Sequence, residues 1–220
     1  MDNVDYKLLY SLQDQVMKLI FGTENIFYLT GGTCLGRFYK EKRYSDDLDF
    51  FTNQSPRYSF AVRDVKNKLK NSFKVSAEVE SKEFNRFRIN DFLQIDFVND
   101  IAFRYGDIVV TNEGFLIDNV FNILSNKLTA VIGRDDPKDT FDIYLISKYY
   151  SFSWNNILDA AHQKAVFSDE ELIVRLKTFP QELFKNIKII DTKFLDDFDI
   201  HFSKIIDEIY EKKEHQAIET

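Results

Sequence analysis

Two aspartates carry the most distinctive chemistry that the sequence offers. Asp47 and Asp49 stand two positions apart, so on a β-strand both side chains point to one face, with Cα atoms about 7 Å apart. Two carboxylates on one face raise each other's pKa unless a cation lies between them. This spacing therefore predicts that Mg²⁺ or Mn²⁺ bridges the pair, as in two-metal phosphoryl-transfer sites.

A simpler interpretation of this pair stays open. Acids at a strand end are often solvated or are paired with nearby cations, here Lys42 and Arg43. The apolar neighbours Leu48, Phe50 and Phe51 favour a buried strand over a loop and so weaken that alternative.

A third acid is needed to complete a metal cage or to accept a proton from an attacking hydroxyl. Asp96 lies between Ile95 and Phe97 in an apolar segment that reads as another strand. A buried aspartate without a cation or a donor is costly. We therefore expect Asp96 to have a partner and to join the two other acids as a catalytic and metal-binding residue.

A pair of glycines stands between a predicted strand and a predicted helix. At Gly31, Gly32 and Thr33 small residues let backbone N–H groups approach a phosphate, and the helix N-terminus adds favourable partial charge. Thr33 and Ser45 can also donate hydroxyl hydrogen bonds. A strand-to-helix turn needs glycine for purely steric reasons as well, so both interpretations stay open.

A second dense cluster of charge lies between residues 127 and 142. Lys127 and Arg134 are seven apart on one predicted helix, so their cations could reach nucleotide phosphates. Asp139 lies in the first turn of the next helix, where the dipole favours acids in any case. For Asp142, an ion pair that orients Lys127 or Arg134 is as plausible as direct catalysis, and Lys138 either binds phosphate or is solvated.

The elements that must position these residues alternate in the first half of the chain and are helical in the second. Apolar periodicity predicts helices over 8–20, 33–40 and 58–70, strands over 26–30, 48–51, 74–79, 84–89 and 93–98, and a hairpin of 108–110 with 115–117. From Asp118 onward the period is that of helices, and Asp136 with Pro137 starts a new one. The predicted class is α+β, with a domain at residues 1–117, a helical domain at 118–220 and a cleft between them.

Composition narrows the function classes. The chain of 220 residues has a formal net charge of −7, so a uniformly basic nucleic-acid surface is excluded and any RNA contact must be local. No apolar stretch approaches the ~20 residues that cross a bilayer, and the first five residues, 1–5, lack a basic region followed by an apolar one. A cytoplasmic location without a membrane partner is expected. Cys34 is the only cysteine, so an intrachain disulfide is excluded.

Two segments together resemble the AbiEii/AbiGii nucleotidyltransferase family, the toxins of type IV toxin–antitoxin systems named for abortive infection. The first runs from Leu29 to Leu35 and continues from Arg43 to Phe50, and the second runs from Lys127 to Ile143. The resemblance implies a polymerase-beta-like nucleotidyltransferase domain with a mixed sheet flanked by helices, followed by a helical domain. It also implies Mg²⁺ and a nucleoside triphosphate, and an antitoxin as partner.

The resemblance also implies roles for single residues. Asp47 and Asp49 would bind metal, Gly31, Gly32 and Ser45 would border the triphosphate, and Lys127 with Asp142 would complete the site. In the second segment the family often has arginine immediately before the acid, where this chain has Lys138 before Asp139. A bidentate phosphate contact would be lost there.

Three functions follow from these observations. The first is transfer of a nucleoside monophosphate from a triphosphate to RNA, with transfer RNA as the acceptor in some members of the family. The second keeps the reaction but changes the acceptor to a protein or a small molecule, for which an acidic surface is less surprising. The third is a nucleotide-binding regulator without turnover, which the intact acids argue against.

Overall fold

The computed structural model describes residues 4–219. Residues 1–3 and 220 lie outside the described part, and the expectation about the first five residues rests largely on them. The chain divides into two compact units. The first takes in the chain up to Cys34 together with Ser45–Ile101 and Asp107–Asp118, and the second takes in Leu35–Tyr44, Ala102–Gly106 and the chain from Asn119 onward. The predicted boundary at residues 117 and 118 stays a prediction.

The first unit is built around one mixed sheet. Its helices and strands are α1 (Tyr6–Phe21), β1 (Tyr28–Thr30), the start of α2 (Gly31–Phe38), β2 (Asp47–Asn53), α3 (Tyr58–Lys70), β3 (Val75–Glu80), β4 (Phe84–Ile89), β5 (Leu93–Asp100), β6 (Val109–Val110) and β7 (Leu116–Ile117). The order across the sheet is β3-β4-β5-β2-β1-β7-β6. Strand β2 runs parallel to β5 and antiparallel to β1. The α3 and β4 boundaries agree with the sequence prediction, and the hairpin of β6 with β7 is confirmed.

The two faces of this sheet differ in polarity because successive side chains of a strand point to opposite sides. Leu48 and Phe50 of β2 and Ile95 and Phe97 of β5 are fully buried. Helix α3 packs on that apolar face, where the Tyr58 hydroxyl donates to the Phe97 carbonyl oxygen over 2.7 Å. Burial raises the pKa of Tyr58 to about 12. The acids of β2 and β5 are thereby left on the other face.

Strand β3 forms one edge of the sheet. Its register with β4 shifts between Ala77 and Val79, which marks a bulge. All of its residues after Val75 are exposed, including Glu78 and Glu80. This edge is therefore short, irregular and charged.

The second unit is mainly helical. Its elements are α4 (Val120–Gly133), α5 (Pro137–Tyr149), β8 (Phe152–Ser153), α6 (Trp154–His162), α7 (Asp169–Lys177), two 3₁₀ turns (Gln181–Asn186 and Thr192–Leu195), α8 (Phe198–Glu211) and β9 (Glu214–His215), besides the end of α2. Asp136 caps α5 by accepting from the Lys138 N–H, and Pro137 takes the first helical position, as predicted. The antiparallel pair of β8 with β9 corrects the expectation of a purely helical second half, because two-residue strands leave no periodic signal.

No helix in residues 4–219 combines the length and the apolar character that a membrane span requires.

Candidate active site

The three predicted acids of the first unit stand on one face of the sheet. Strand β2 pairs in parallel with β5 so that Asp49 lies opposite Asp96 and Asp47 lies opposite Gln94. Residues paired directly across neighbouring strands share a face, and Asp47 is two residues from Asp49, so all three carboxylates emerge on the same side. The side chains of Asp47 and Asp49 are half-buried, whereas Asp96 is 7 % exposed.

The turn after β1 brings the backbone close to this acid row. Gly31 starts α2 with a φ of 72°, a left-handed conformation that favours glycine. A β-carbon at Gly31 would lie 2.6 Å from Oδ2 of Asp49. Thr30, which precedes it, pairs with Asp49 across β1 and β2. Glycine is therefore needed here both for the turn and for the approach of the carboxylate.

The other predicted phosphate-side residues have mainly backbone contacts. Thr33 is buried, and its hydroxyl donates to the carbonyl oxygen of Asp47 over 2.5 Å, which ties α2 to the start of β2. Ser45 is also buried. Its N–H donates to the hydroxyl of Tyr10, and its carbonyl oxygen accepts from the Gln13 amide. Gly32 lies in the first turn of α2.

Asp96 has a cationic partner of its own. Arg86 on β4 lies directly opposite it, and its Nε and Nη2 donate to the two carboxylate oxygens over 2.8 and 2.6 Å. This bidentate geometry is the strong form of an arginine–carboxylate pair. The hydrogen bonds that Arg86 donates to Asp96 raise the pKa of Arg86 above its ordinary value. The sequence argument that Asp96 needs a partner is thus met by arginine.

The fit of these acids to a divalent cation differs from residue to residue. Asp47 and Asp49 carry carboxylate oxygens, the donors that Mg²⁺ and Mn²⁺ prefer, on one face of β2, where both side chains are half-buried. Both oxygens of Asp96 accept from Arg86. Within residues 4–219, no three acidic, histidine or cysteine side chains form a ready metal cluster. Arg86 thus occupies one lone pair on each oxygen of Asp96 and competes with a cation for this acid.

The second cluster lies wholly within the second unit and forms a buried ion network. Lys127 Nζ lies 2.8 Å from an oxygen of Asp139 and 2.8 Å from an oxygen of Asp142. Asp139 also accepts from Arg134, and Asp142 accepts bidentately from Arg43 over 2.8 and 2.7 Å. Both acids are at most 1 % exposed. Each acid therefore binds Lys127 and one arginine.

Charge pairing in this network outweighs burial. Burial raises the pKa of Asp142, but Arg43 and Lys127 lower it more, so it lies below its ordinary value. Burial likewise raises the pKa of Asp139, and Lys127 with Arg134 brings it below the ordinary value. Burial lowers the pKa of Lys127, and the two acids bring it above its ordinary value. All three groups stay ionised at neutral pH.

The predictions from sequence do not identify two arginines that pair with acids of the site. Arg43 is 4 % exposed and pairs with Asp142, 99 positions away, and no local signal links residues so far apart. Arg86 could have been found, because a tight turn between β4 and β5 places it opposite Asp96. The side-chain role of Lys138 stays a prediction.

Comparison with solved structures supports the fold. JHP933 from Helicobacter pylori is 19 % identical over 96 % of each chain, with a TM-score of 0.61. A protein described as a putative nucleotidyltransferase from H. pylori is 19 % identical over 97 % of this chain and all of that one, with a TM-score of 0.59. The predicted α+β fold, a mixed sheet flanked by helices, is confirmed. No curated protein sequence matches this chain.

The sequence profile of one family covers most of the chain. The family described as "Nucleotidyl transferase AbiEii toxin, Type IV TA system" matches residues 20–218. That span contains the acid row of the first unit and the ion network of the second. The chain therefore belongs to the AbiEii family of nucleotidyltransferase toxins.

Proposed function

We propose that this protein transfers a nucleoside monophosphate from a nucleoside triphosphate to an acceptor hydroxyl. The acceptor oxygen bonds to the α-phosphorus, the bond from that phosphorus to pyrophosphate breaks, and the acceptor proton passes to a base, for which Asp96 is the candidate. The observation that carries the proposal is the row of Asp47, Asp49 and Asp96 on one sheet face beside Gly31.

In this proposal Asp47 and Asp49 hold a divalent cation, Mg²⁺ or Mn²⁺. When bound, the cation supplies positive charge against the triphosphate. Gly31, Gly32 and Thr33 contribute backbone N–H groups at the start of α2, where the helix dipole favours phosphate.

The ion network supplies the remaining charge. Lys127 and Arg134 are assigned to neutralising phosphates, with Ser45 and Lys138 as further contacts. Asp142 orients Lys127 rather than reacting itself, because it is 1 % exposed and is held by two cations, Arg43 and Lys127. Asp139 performs the same task for Arg134.

The biological setting follows from the family. We propose that the protein acts in the cytoplasm as the toxin of a type IV system, with a cognate antitoxin as partner and a transfer RNA as acceptor. A protein or small-molecule acceptor is the second candidate, which the net charge of −7 favours.

Labelled nucleotides test the reaction and its acceptor together. The protein is incubated with each α-labelled triphosphate, Mg²⁺ and either total RNA or a cell lysate. We expect label in RNA, lost in Asp49→Asn and kept in Asp91→Asn, an exposed acid of the same unit. Label found only in protein or small molecules would refute RNA as the acceptor and support the second candidate, a protein or small-molecule acceptor. Nucleotide binding without any label transfer would leave a regulator without turnover.

A further inference from the structure

Cations of the first unit are concentrated on helix α3 and the loop that follows it. Residues 57–74 contain six lysines and arginines and one acid, Asp64. The rest of the chain contains 23 lysines and arginines and 35 acids. The six cations are Arg57, Arg63, Lys66, Lys68, Lys70 and Lys74. The first unit of this acidic protein thus has a basic segment, and a local basic segment is what an acidic protein needs to bind a polyanion.

Half of these cations are available to a ligand. Arg63, Lys68 and Lys70 are exposed, and no acid of the described chain forms a salt bridge with them. The other three have carboxylate partners: Arg57 with Glu24, Lys66 with Glu80, and Lys74 with Asp91. Arg63 and Lys70 are seven residues apart and so share one side of α3, whereas Lys68 lies about 140° around the helix from Arg63.

A groove runs beside these cations. It encloses about 310 Å³ and is lined by Ser59, Arg63, Lys66, Asn67, Lys70 and Ser81, among others. Its acid is Glu80, which is already paired with Lys66. The groove therefore offers cations and neutral hydrogen-bonding groups to a bound chain.

An aromatic ring stands next to the groove. Phe60 is 49 % exposed, and the guanidinium carbon of Arg63 lies 5.1 Å from the centre of its ring. Proteins that bind single-stranded nucleic acid combine a cationic groove with exposed aromatic rings on which bases stack. A membrane or an acidic peptide uses the cations but does not call for a ring paired with arginine.

The opposite face of the same sheet edge also carries cations. Arg86 and Arg88 of β4 lie next to β3 on the face of the acid row, and Arg86 contacts Asp96. Both of these arginines are paired with acids, Arg86 with Asp96 and Arg88 with Glu78. A strand bound at α3 would have to pass around this edge to reach the acid row.

We propose that Phe60, Arg63, Lys66 and Lys70, here called the α3 basic surface, bind the backbone and bases of a single-stranded nucleic acid. This inference rests on the proposed nucleotidyl transfer and identifies the acceptor as the strand so bound. RNA and DNA share the phosphate and base chemistry that this surface recognises, so both serve as probes.

Fluorescence anisotropy with labelled RNA and DNA of about 20 nucleotides, long enough to fill such a site, measures the binding. The test variant is Arg63→Glu with Lys70→Glu. The matched control is Lys177→Glu with Lys185→Glu, two exposed lysines of the second unit with the same charge change. We expect about tenfold weaker binding in the test variant and a salt slope lower by about 1.4, since each lost phosphate contact removes about 0.7. Phe60→Ala should weaken binding about fivefold without changing that slope.

Several outcomes would overturn the inference. If the test variant and the control bound nucleic acid equally well, the α3 basic surface would not be a nucleic-acid-binding surface. If the test variant lost binding to phosphatidylserine-containing vesicles and kept its binding to nucleic acid, the α3 basic surface would be a membrane-binding surface. Circular dichroism confirms that each variant folds.

The inference and the proposed function can fail separately. Asp49→Asn should abolish label transfer and leave the anisotropy titration unchanged. Suppose that label transfer is lost in Asp49→Asn but is unchanged in Arg63→Glu with Lys70→Glu. The proposed function would then stand, and the role of the α3 basic surface would be refuted.

Discussion

Gly31 and Asp49 are so close that a β-carbon on the glycine would lie 2.6 Å from the carboxylate oxygen Oδ2. The two residues belong to neighbouring elements, the start of α2 and the middle of β2. Their proximity links the glycine turn to the acid row more tightly than the sequence alone could indicate. It also means that the smallest side chain at position 31 must displace Asp49.

Gly31→Ala should therefore inactivate the protein beyond its effect on stability. Gly114→Ala is the matched control, since Gly114 has a φ of 81° and open space around it. Both substitutions should lower the free energy of unfolding by about 1–2 kcal/mol because both force alanine into a left-handed conformation. Only Gly31→Ala should weaken Mn²⁺ binding and stop label transfer. Equal activity of the two variants would contradict this role for Asp49.

The pair of Arg86 with Asp96 should compete with cation binding. In Arg86→Ala both oxygens of Asp96 are released, so Mn²⁺ affinity, measured by electron paramagnetic resonance, should rise about three- to tenfold. Arg88→Ala removes an equal charge from the same strand but releases Glu78 instead, and it should change the affinity little. Unchanged or weaker Mn²⁺ binding in Arg86→Ala would show that Asp96 is no metal ligand.

The buried network should govern the stability of the second unit. Asp142→Asn leaves Arg43 and Lys127 without a full counter-charge in a buried site, which costs about 3–5 kcal/mol. Asp135→Asn breaks the exposed pair with Arg175 and should cost at most about 1 kcal/mol. Urea unfolding followed by circular dichroism measures both. Similar midpoints for the two variants would refute the network as a source of stability.

The same network predicts how stability depends on pH. The pKa values of Asp139 and Asp142 are lowered on folding, so their contribution is complete above the unfolded value of about 3.9 and is lost as the pH falls through the lower folded values. The pKa of Lys127 is raised, so its contribution is complete below about 10.4 and is lost as the pH rises through the folded value.

We therefore expect the difference in unfolding free energy between wild type and Asp142→Asn to be constant from about pH 5 to pH 9. It should shrink below about pH 4, where the wild-type acids take up protons. Urea titrations across this range measure the difference. A difference that grows on acidification would contradict the assigned charge states.

Local pattern predicted most of the first unit but not all of its contacts. Helix α3 and strand β4 follow from apolar periodicity because their buried faces repeat along the chain. The shared face of Asp47 and Asp49 follows from the two-residue period of a strand. The pairing of Asp96 with Asp49 depends on which strands become neighbours, which periodicity does not encode.

The sequence predicts the composition of the second cluster and, as one of two alternatives, the ion pair of Asp142 with Lys127, but not its other pairs. For Asp139 the sequence leaves two explanations open, a role in the charged cluster or the favourable dipole at the start of its helix. Its burial between Lys127 and Arg134 emerges only when α4 and α5 pack together. The ion pair of Arg43 with Asp142 joins distant parts of the chain and depends on tertiary packing in the same way.

The bulge in β3 affects the tendency of this protein to self-associate at high concentration. An exposed edge strand can recruit the strand of another molecule and start aggregation. The shift between Ala77 and Val79 interrupts the outward row of amide and carbonyl groups. Glu78, paired with Arg88, and Glu80, paired with Lys66, place charged side chains along the edge, which hinder the addition of another strand. A deletion that straightened β3 would turn this boundary into a template for self-association, so colloidal behaviour constrains the shape of this strand independently of catalysis.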